Sequence, residues 1–336
     1  MDSLLIDRFQ YRVFTDLAEI EPLSQDWERL LRESPCNRGF GSLEWYVTGC
    51  RVYPFLTPRV VVAFDGDRVA GILPLVSNRE DRTATFAPGG DYRDIVAPAG
   101  NIALLAGLLA CAASHRNGGD RILLSKLQAD SNCLGALPIL ASLPGIDFRL
   151  RAIDSYHYVK LPETFDDYLA TRSRVFRKSI RRAQRKMEGG NLVVRELEPE
   201  SFPPRELPEV FLSLVSARHK EESAFTGAQS REFARCAFPL LFKKRDLRAF
   251  AVIQDETITA LDICMVGAKG LCTWNGGFLS EAATWSPGTL LTAFGVRRAI
   301  EMKLAEYDFL EGEEPYKKSW ATGTYVVSEL ELFWRD

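Results

Sequence analysis

Two stretches of the chain alternate between apolar runs and a short polar turn in the same way. Pro58 to Leu75 reads PRVVVAFDGDRVAGILPL, with two β-branched runs about Asp65-Gly66-Asp67. Leu247 to Val266 reads LRAFAVIQDETITALDICMV, with two more about Gln254-Asp255-Glu256. Each pattern predicts a β-hairpin, because the central residues suit a tight reversal and the flanking runs suit a pleated surface. The segments after the two hairpins also match in kind. After the first come a strand over 83–86, the turn Pro88-Gly89-Gly90-Asp91-Tyr92, an apolar helix over about 101–115 and a strand over 121–127. After the second come a strand over 270–275, a helix over about 289–304 opened by Ser286-Pro287-Gly288, and a strand over 306–310. The shared order of hairpin, strand, helix, strand predicts an α/β (α+β) protein built from two copies of one unit. The predicted units are 1–155 and 156–336, each a central mixed sheet flanked by helices, with the working site in the cleft between them.

Helical spacing adds a lead-in to each copy. A helix over 16–33, with Ser24 as a suitable N-cap, precedes the first. Helices over 165–187 and 207–219 precede the second. Gly189-Gly190-Asn191 ends one of these, Phe202-Pro203-Pro204 marks a loop, and 225–242 reads as a further helix.

The length of 336 residues suits two ordinary domains, and 46% hydrophobic with 26% charged residues is the make-up of a chain that buries a proper core. A net charge of -3 sets up no global attraction to nucleic acid or to an anionic membrane. The seven cysteines are odd in number and form no CxxC pair, which argues against both a disulfide framework and a zinc site; no metal is expected. The first 15 residues carry acids and no apolar core run, so they do not read as a signal peptide. The most apolar stretch, Ile102 to Ala113, is too short to span a bilayer. A cytoplasmic protein without an integral membrane segment is the expectation, and the sequence leaves its oligomeric state open.

Several patches carry candidate chemistry. Arg172, Arg174, Arg177, Lys178, Arg181, Arg182, Arg185 and Lys186 fall in one predicted helix with no acid among them. Like charges at i, i+4 cost helix stability, so either acids elsewhere in the fold neutralise this face or an anionic partner does. Ser286-Pro287-Gly288-Thr289 opens a helix, where free N–H groups and the dipole favour an anion; ordinary Pro capping is the other reading. Trp274-Asn275-Gly276-Gly277-Phe278 ends a strand with paired glycines, which fit a bulge, a close approach by a ligand, or a turn. Gly89 to Asp94 holds the equivalent position in the first copy, with Asp91 and Tyr92 as its functional candidates against a turn with Asp caps. The tract from Tyr307 to Trp320 runs from an apolar strand into acids, an aromatic, two lysines and a tryptophan. There a carboxylate such as Glu313 could serve as base, Tyr316 as acid and Lys317 as a fixed charge, or the tract could be a charged loop pinned by Trp320. His115, His157 and His219 have no metal-like spacing, and His219, beside Arg218 and Lys220, is the best functional candidate of the three. No nucleophile elbow, P-loop or dinucleotide fingerprint occurs.

The DYRD turn, the RxxRKSIRR helix, the SPG helix start and the tract DFLEGEEPYKKSW stand in the order seen in one family. They resemble the CelD/BcsL-like branch of the GNAT acyltransferases, associated with cellulose and exopolysaccharide biosynthesis and similar to the FemAB peptidyltransferases. The resemblance runs from about Trp27 to Trp334, and Asp308 to Trp320 is its most specific part. It implies two tandem GNAT-like units, a degenerate N-terminal one on the acceptor side and a C-terminal one on the donor side. It implies an acyl-CoA cosubstrate whose pyrophosphate meets Ser286, Gly288 and Thr289, with Lys178, Arg181 and Arg182 as further anion contacts. The acyl thioester would lie along Cys272 to Gly276, with Trp274, Asn275 and Gly276 beside it. Asp91 or Glu313 would be the base and Tyr316 the acid. Lys317 would face the substrate, with Tyr92, His219 and Trp320 on the acceptor. The glycine-rich pyrophosphate loop typical of GNAT enzymes is reduced here to Ser286-Pro287-Gly288, and Leu279 stands where family members often have an acid.

Three functions fit this reading. The first is acyl transfer from acyl-CoA to a primary amine of an amino sugar, amino acid or peptide. The second keeps the fold but takes the acyl group from aminoacyl-tRNA, with the basic helix tracking phosphates. The third is a non-catalytic accessory protein of polysaccharide or lipopeptide assembly.

Overall fold

The computed structural model describes residues 8–115, 121–219 and 224–334. The chain divides into two compact units, Met1–Ser155 with Tyr325–Asp336, and Tyr156–Thr324.

The first unit begins with β1 (Gln10–Phe14) and the helices α1 (Ser24–Glu33) and α2 (Leu43–Val52). The expected lead-in helix is broken: Leu17–Ile20 and a 3-10 turn precede α1, and Ser24 is the first residue of α1 rather than its cap. The hairpin comes next as β2 (Leu56–Asp65) and β3 (Arg68–Asn78), then β4 (Thr83–Phe86), α3 (Ile102–Ser114) and β5 (Arg121–Leu127). The strand order is β1-β2-β3-β4-β5, with the C-terminal strand β12 (Gly323–Trp334) beside β5. Residues from Tyr325 onward therefore pack with the first unit rather than with 156–324, because Ser328 to Leu332 pair antiparallel with Leu127 to Ile122. Asn101 caps α3 through Leu104 N–H at 3.2 Å, and the apolar faces of α3 and the sheet form the core.

The second unit starts at the end of β6 (Ile146–Lys160) and continues through α4 (Phe165–Ala170) and α5 (Arg174–Gly189). The single helix expected over 165–187 is two, because Ser173 leaves the helical conformation and its hydroxyl accepts from Phe176 N–H at 3.1 Å. Next come β7 (Leu192–Leu197), α6 (Leu207–His219) and α7 (Ala228–Lys244). The second hairpin is β8 (Leu247–Gln254) and β9 (Thr257–Val266), with Asp255 and Glu256 both at positive φ in the turn. Beyond it lie β10 (Gly270–Phe278), α8 (Pro287–Glu301), β11 (Glu306–Asp308) and α9 (Pro315–Trp320). The strand order is β6-β11-β10-β9-β8-β7. One face of α8, with Leu290, Leu291, Val296 and Ala299, packs on Phe250, Val252, Leu271 and Tyr307 of the sheet. Each such buried apolar side chain stabilises the fold by about 1.5–3 kcal/mol. Helix and sheet are thereby fixed to one another, and so are the loops at their ends.

Candidate active site in the second unit

β10 runs parallel to β11, but the two pair only over Gly270–Cys272 against Glu306–Asp308. β11 stops there, while β10 continues along β9 to Phe278. The two parallel strands thus part company at Cys272. A cavity of about 610 Å³ opens where they separate. Its walls are Thr273 to Phe278 of β10, Pro287 to Thr289 at the start of α8, Phe309 with the turn after it, and Tyr316, Lys317 and Trp320 of α9. Arg218 of α6 and Asp262 of β9 complete it.

β10 carries a bulge: Thr273 pairs with Cys264 and Asn275 with Ile263, so Trp274 is the additional residue. The bulge shifts which side chains face the cavity, and Trp274 packs edge-on to Phe225 and Phe238 at 5.6 and 5.9 Å. The paired glycines behind it serve packing within the unit. A Cβ on Gly277 would lie 2.3 Å from the backbone carbon of Leu214 in α6, and one on Gly276 would lie 2.6 Å from the Leu261 carbonyl oxygen. The close approach expected of a ligand at Gly277 is made instead by the backbone of α6.

The tract after β11 is a short helix rather than a charged loop. Glu314 precedes Pro315, whose fixed φ suits the first turn. Lys317 is buried, and its ammonium bonds the Glu311 carbonyl oxygen and ion-pairs with Glu314 at 3.1 Å. Gly312 is required for this arrangement. Its φ is +125°, and a Cβ there would fall 2.1 Å from a Glu314 oxygen and 2.6 Å from Lys317 Nζ. Tyr316 is half-exposed, but its hydroxyl end is well surrounded. Burial, then the Asp262 and Glu314 carboxylates, push the phenol well above its ordinary range. It therefore keeps its proton at neutral pH. Trp320 is anchored by parallel stacking with Tyr168 at 6.0 Å and by the Tyr168 hydroxyl, which donates to its carbonyl at 2.7 Å.

Asp262 is a site residue that the sequence pattern does not single out. It sits mid-strand in β9, within a run of apolar residues, where only the hairpin's alternation could have marked it as facing the cavity. The Thr273 hydroxyl donates to its carboxylate at 2.9 Å. Burial pushes its pKa up to about 7, although the Thr273 hydrogen bond and the Arg218 charge work against the rise. Arg218, on the α6 turn beside it, lies over the Phe278 ring at 5.0 Å.

At the start of α8, Ser286 adopts the left-handed conformation. Pro287 has no N–H, and Thr289 and Leu290 donate theirs back to the Ser286 carbonyl at 3.0 and 3.3 Å. Gly288 is left as the donor of this first turn that the turn itself does not engage. A Cβ on Gly288 would meet nothing within 4 Å, so there is room for a ligand to approach its backbone. The fit to a phosphate group is one amide and an open surface, fewer donors than a glycine-rich loop would present.

The remaining candidates are not among the residues that line this cavity. Glu313 is exposed and ion-paired with Lys318 and, at 3.7 Å, with His157; the Lys318 contact holds its carboxyl below the ordinary range, which makes it a weak base. Asp91 and Tyr92 belong to the first unit, where Asp91 is buried and ion-paired with Lys126 at 3.0 Å. In the same turn Asp94 accepts N–H bonds from Asn132 and Cys133 at the start of a short helix, which is a capping role. Lys178, Arg181 and Arg182 are exposed on α5, away from the cavity walls. His219 closes α6, and its side chain lies outside the described residues. Of the expected site residues, the cavity brings together Trp274, Asn275, Gly276, Gly288, Thr289, Tyr316, Lys317 and Trp320.

Residues 174–318 match the family described as an acetyltransferase (GNAT) domain. The second unit carries a GNAT domain. The crystal structure of FemX is similar to this chain with a TM-score of 0.67 at 14% identity, covering 92% of this chain and 95% of that one. The structure of L-PGS from Bacillus licheniformis gives 0.60 at 10% identity over 91% and 90% of the two chains. The C-terminal domain of a putative lysylphosphatidylglycerol synthetase from Agrobacterium fabrum gives 0.58 at 13% over 94% and 92%. At these identities the likeness is one of fold. No curated protein matches the chain in sequence. The GNAT domain spans α5 to α9, so every wall of the cavity but the last turn of α9 falls within it. Among the described residues, no helix is long and apolar enough to cross a membrane.

Proposed function

We propose that the protein is an N-acyltransferase that moves an acyl group from acyl-CoA to a primary amine of an amino sugar, amino acid or peptide, working in the cytoplasm. The observation that carries this reading is the parting of β10 and β11 at Cys272, which opens a cavity against Tyr316 and Lys317. An acyl group laid along β10 from Thr273 to Gly276 has the Lys317 ammonium within the same cavity. Two of the three N–H directions of Lys317 serve Glu311 and Glu314, and the third is directed to the carbonyl oxygen as it gains charge. Tyr316 keeps its proton at neutral pH and supplies it to the leaving group. The phosphates of the donor meet Gly288 N–H at the start of α8, Trp274 lies beside the acyl group, and Trp320 flanks the acceptor.

The test is ligand-induced thermal stabilisation across short, medium and long acyl-CoAs, followed by mass spectrometry on candidate amines. No shift with any acyl-CoA counts decisively against this donor. Tyr316→Phe and Lys317→Ala, folded but inactive in cells, would exclude a non-catalytic accessory role; full cellular function in both would establish one.

One observation favours a second reading, in which aminoacyl-tRNA is the donor. Arg174, Lys178, Arg181, Arg182 and Arg185 are exposed on the outer face of α5, and among the described residues no carboxylate forms an ion pair with any of them. The stripe from Arg174 to Arg185 runs about 16 Å along the helix, a length suited to successive phosphates. Charged tRNA that binds the wild type and the Lys178→Ala, Arg181→Ala double variant equally would end this reading.

A further inference from the structure

Three acids line the cavity, Asp262, Glu311 and Glu314, and Asp262 is the one carried within the sheet. Glu314 is paired with Lys317, and Glu313, outside the cavity, with Lys318. Asp262 receives hydrogen bonds that orient it, from the Thr273 hydroxyl at 2.9 Å and from the Ile263 backbone, and it feels the Arg218 charge. The neighbouring strand leaves a gap opposite it: Gly276 pairs with Asp262 across the ladder, and a Cβ on Gly276 would sit 3.0 Å from the Asp262 Oδ1. Access to that oxygen thus depends on the absence of a side chain on the cavity strand. Enclosing a carboxylate costs stability unless it has a partner, and among the described residues no cation forms an ion pair with Asp262, although the Arg218 charge acts on it. A cationic ligand would supply that partner.

We propose that Asp262 binds the ammonium group of the acceptor and takes its proton, so that the acceptor is a primary alkylamine captured in its protonated form. This rests on the acyltransfer reading above for the step after capture. One N–H proton of the ammonium moves to the Asp262 carboxylate. The freed nitrogen lone pair forms the C–N bond to the acyl carbon as the C=O π pair moves to oxygen beside Lys317. The oxygen pair then re-forms C=O, and the C–S bond breaks with its electrons on sulfur. The second nitrogen proton reaches Tyr316 as Tyr316 gives its own to sulfur, and the proton on Asp262 leaves to solvent with the products. One ammonium and one thioester become one amide, one thiol and one proton. A carboxyl raised to about 7 lies closer to an alkylammonium, at about 10.4, than an ordinary aspartate does, so the proton transfer is less uphill and is drawn forward by C–N bond formation.

The charged and titratable groups around Asp262 set its pH response. Arg218 of α6 favours its ionised form. Cys264 beside it on β9, Tyr307 on β11 and Tyr316 on α9 all stay protonated and feel its charge. Glu311, Glu314 and Lys317 share the cavity.

The experiment uses the full chain and n-hexylammonium as probe, with binding followed by calorimetry from pH 5.5 to 8.5. Wild-type affinity should rise as pH passes about 7, and Asp262→Asn should weaken binding at pH 8 by about tenfold or more with no pH dependence left. Absent binding, a flat wild-type profile, or equal binding by a folded Asp262→Asn would overturn the proposal. A second arm measures thiol release from acetyl-CoA with n-hexylamine. Asp262→Asn should lower kcat by about 10²–10⁴ and remove the acidic limb of the pH profile, with donor affinity unchanged. Probe binding as expected, without transfer from any acyl donor, would refute the acyltransfer reading and leave the ammonium site standing.

Discussion

Replacing Asp262 by Asn should make the protein more stable, and more so as pH rises. In the unfolded chain the carboxyl ionises at its ordinary pKa of 3.8, whereas in the fold burial raises it to about 7. Between those values the folded state holds a proton that the unfolded state has released. Stability contributed by this group is therefore intact below 3.8, falls through the interval and levels off above about 7. Each unit of separation corresponds to 1.36 kcal/mol, so the full penalty is about 4 kcal/mol. Less than half of it is already present at pH 5, leaving about 2–3 kcal/mol to develop by pH 8. Asn accepts the same Thr273 hydroxyl without ionising, so the variant escapes this loss. Its advantage over the wild type should grow by about 2 kcal/mol from pH 5 to pH 8 after allowing for partial exposure to the cavity. Urea unfolding of both proteins across that range, with a probe in the second unit such as Trp320 fluorescence, reads the difference directly. A constant difference between the two proteins at all pH values would refute the burial argument. A carboxylate kept at such a cost is the pattern expected of a working group, because selection for stability alone would replace it.

Other contacts give three further expected outcomes. Glu196→Gln, which removes the buried carboxylate shared by Arg248 and Arg298 (2.7 Å), should cost about 3 kcal/mol, read as a fall in thermal midpoint, because Arg248 loses this partner while Arg298 keeps Glu301 at 3.2 Å. Gly277→Ala should also be strongly destabilising, since its methyl would fall on the α6 backbone, and soluble yield with circular dichroism will show it. Gly288→Ala should leave the thermal midpoint within about 0.5 kcal/mol of wild type, as nothing crowds that position, but should weaken acyl-CoA stabilisation if phosphates meet this amide.

The fold was readable wherever the pattern was local. Both hairpins, β4, β5 and α6 lie where alternation and helical spacing put them, and α3 and α8 differ only at their ends. The departures have physical reasons. α2 over Leu43–Val52 is nearly all buried, so it lacks the two-faced pattern that announces a helix. The break between α4 and α5 depends on whether Ser173 caps or continues, a choice settled by Trp320 packing on Phe176 and Tyr168 from a segment far along the chain. β12 reads as an ordinary strand, and nothing local says that its partner is β5.

The site divides along the same line. Tyr316, Lys317 and Trp320 were legible because acids, lysines and large aromatics crowd one short tract. Glu313 stood in that tract too, yet one residue along a helix start turns its carboxylate to Lys318 at the surface while Glu314 faces Lys317 in the cavity. Sequence proximity could not separate the two. Asp262 had the reverse problem: it is one acid in a strand of apolar residues, and its meaning depends on partners from other elements. Thr273 reaches it across a bulged ladder, Arg218 from a helix end, and Gly276 by lacking a side chain. The bulge at Trp274 matters most here. Were Trp274 paired in regular alternation instead, it would stand opposite Ile263, Asn275 opposite Asp262 and Gly276 opposite Leu261. An asparagine side chain would then stand where the gap is. The open approach to the carboxylate therefore depends on the bulge taking up Trp274, and deleting Trp274 leaves Asn275 on Ile263 and Gly276 on Asp262, so n-hexylammonium binding should survive in a deletion variant whose circular dichroism spectrum is retained; loss of binding there would refute this account of the gap.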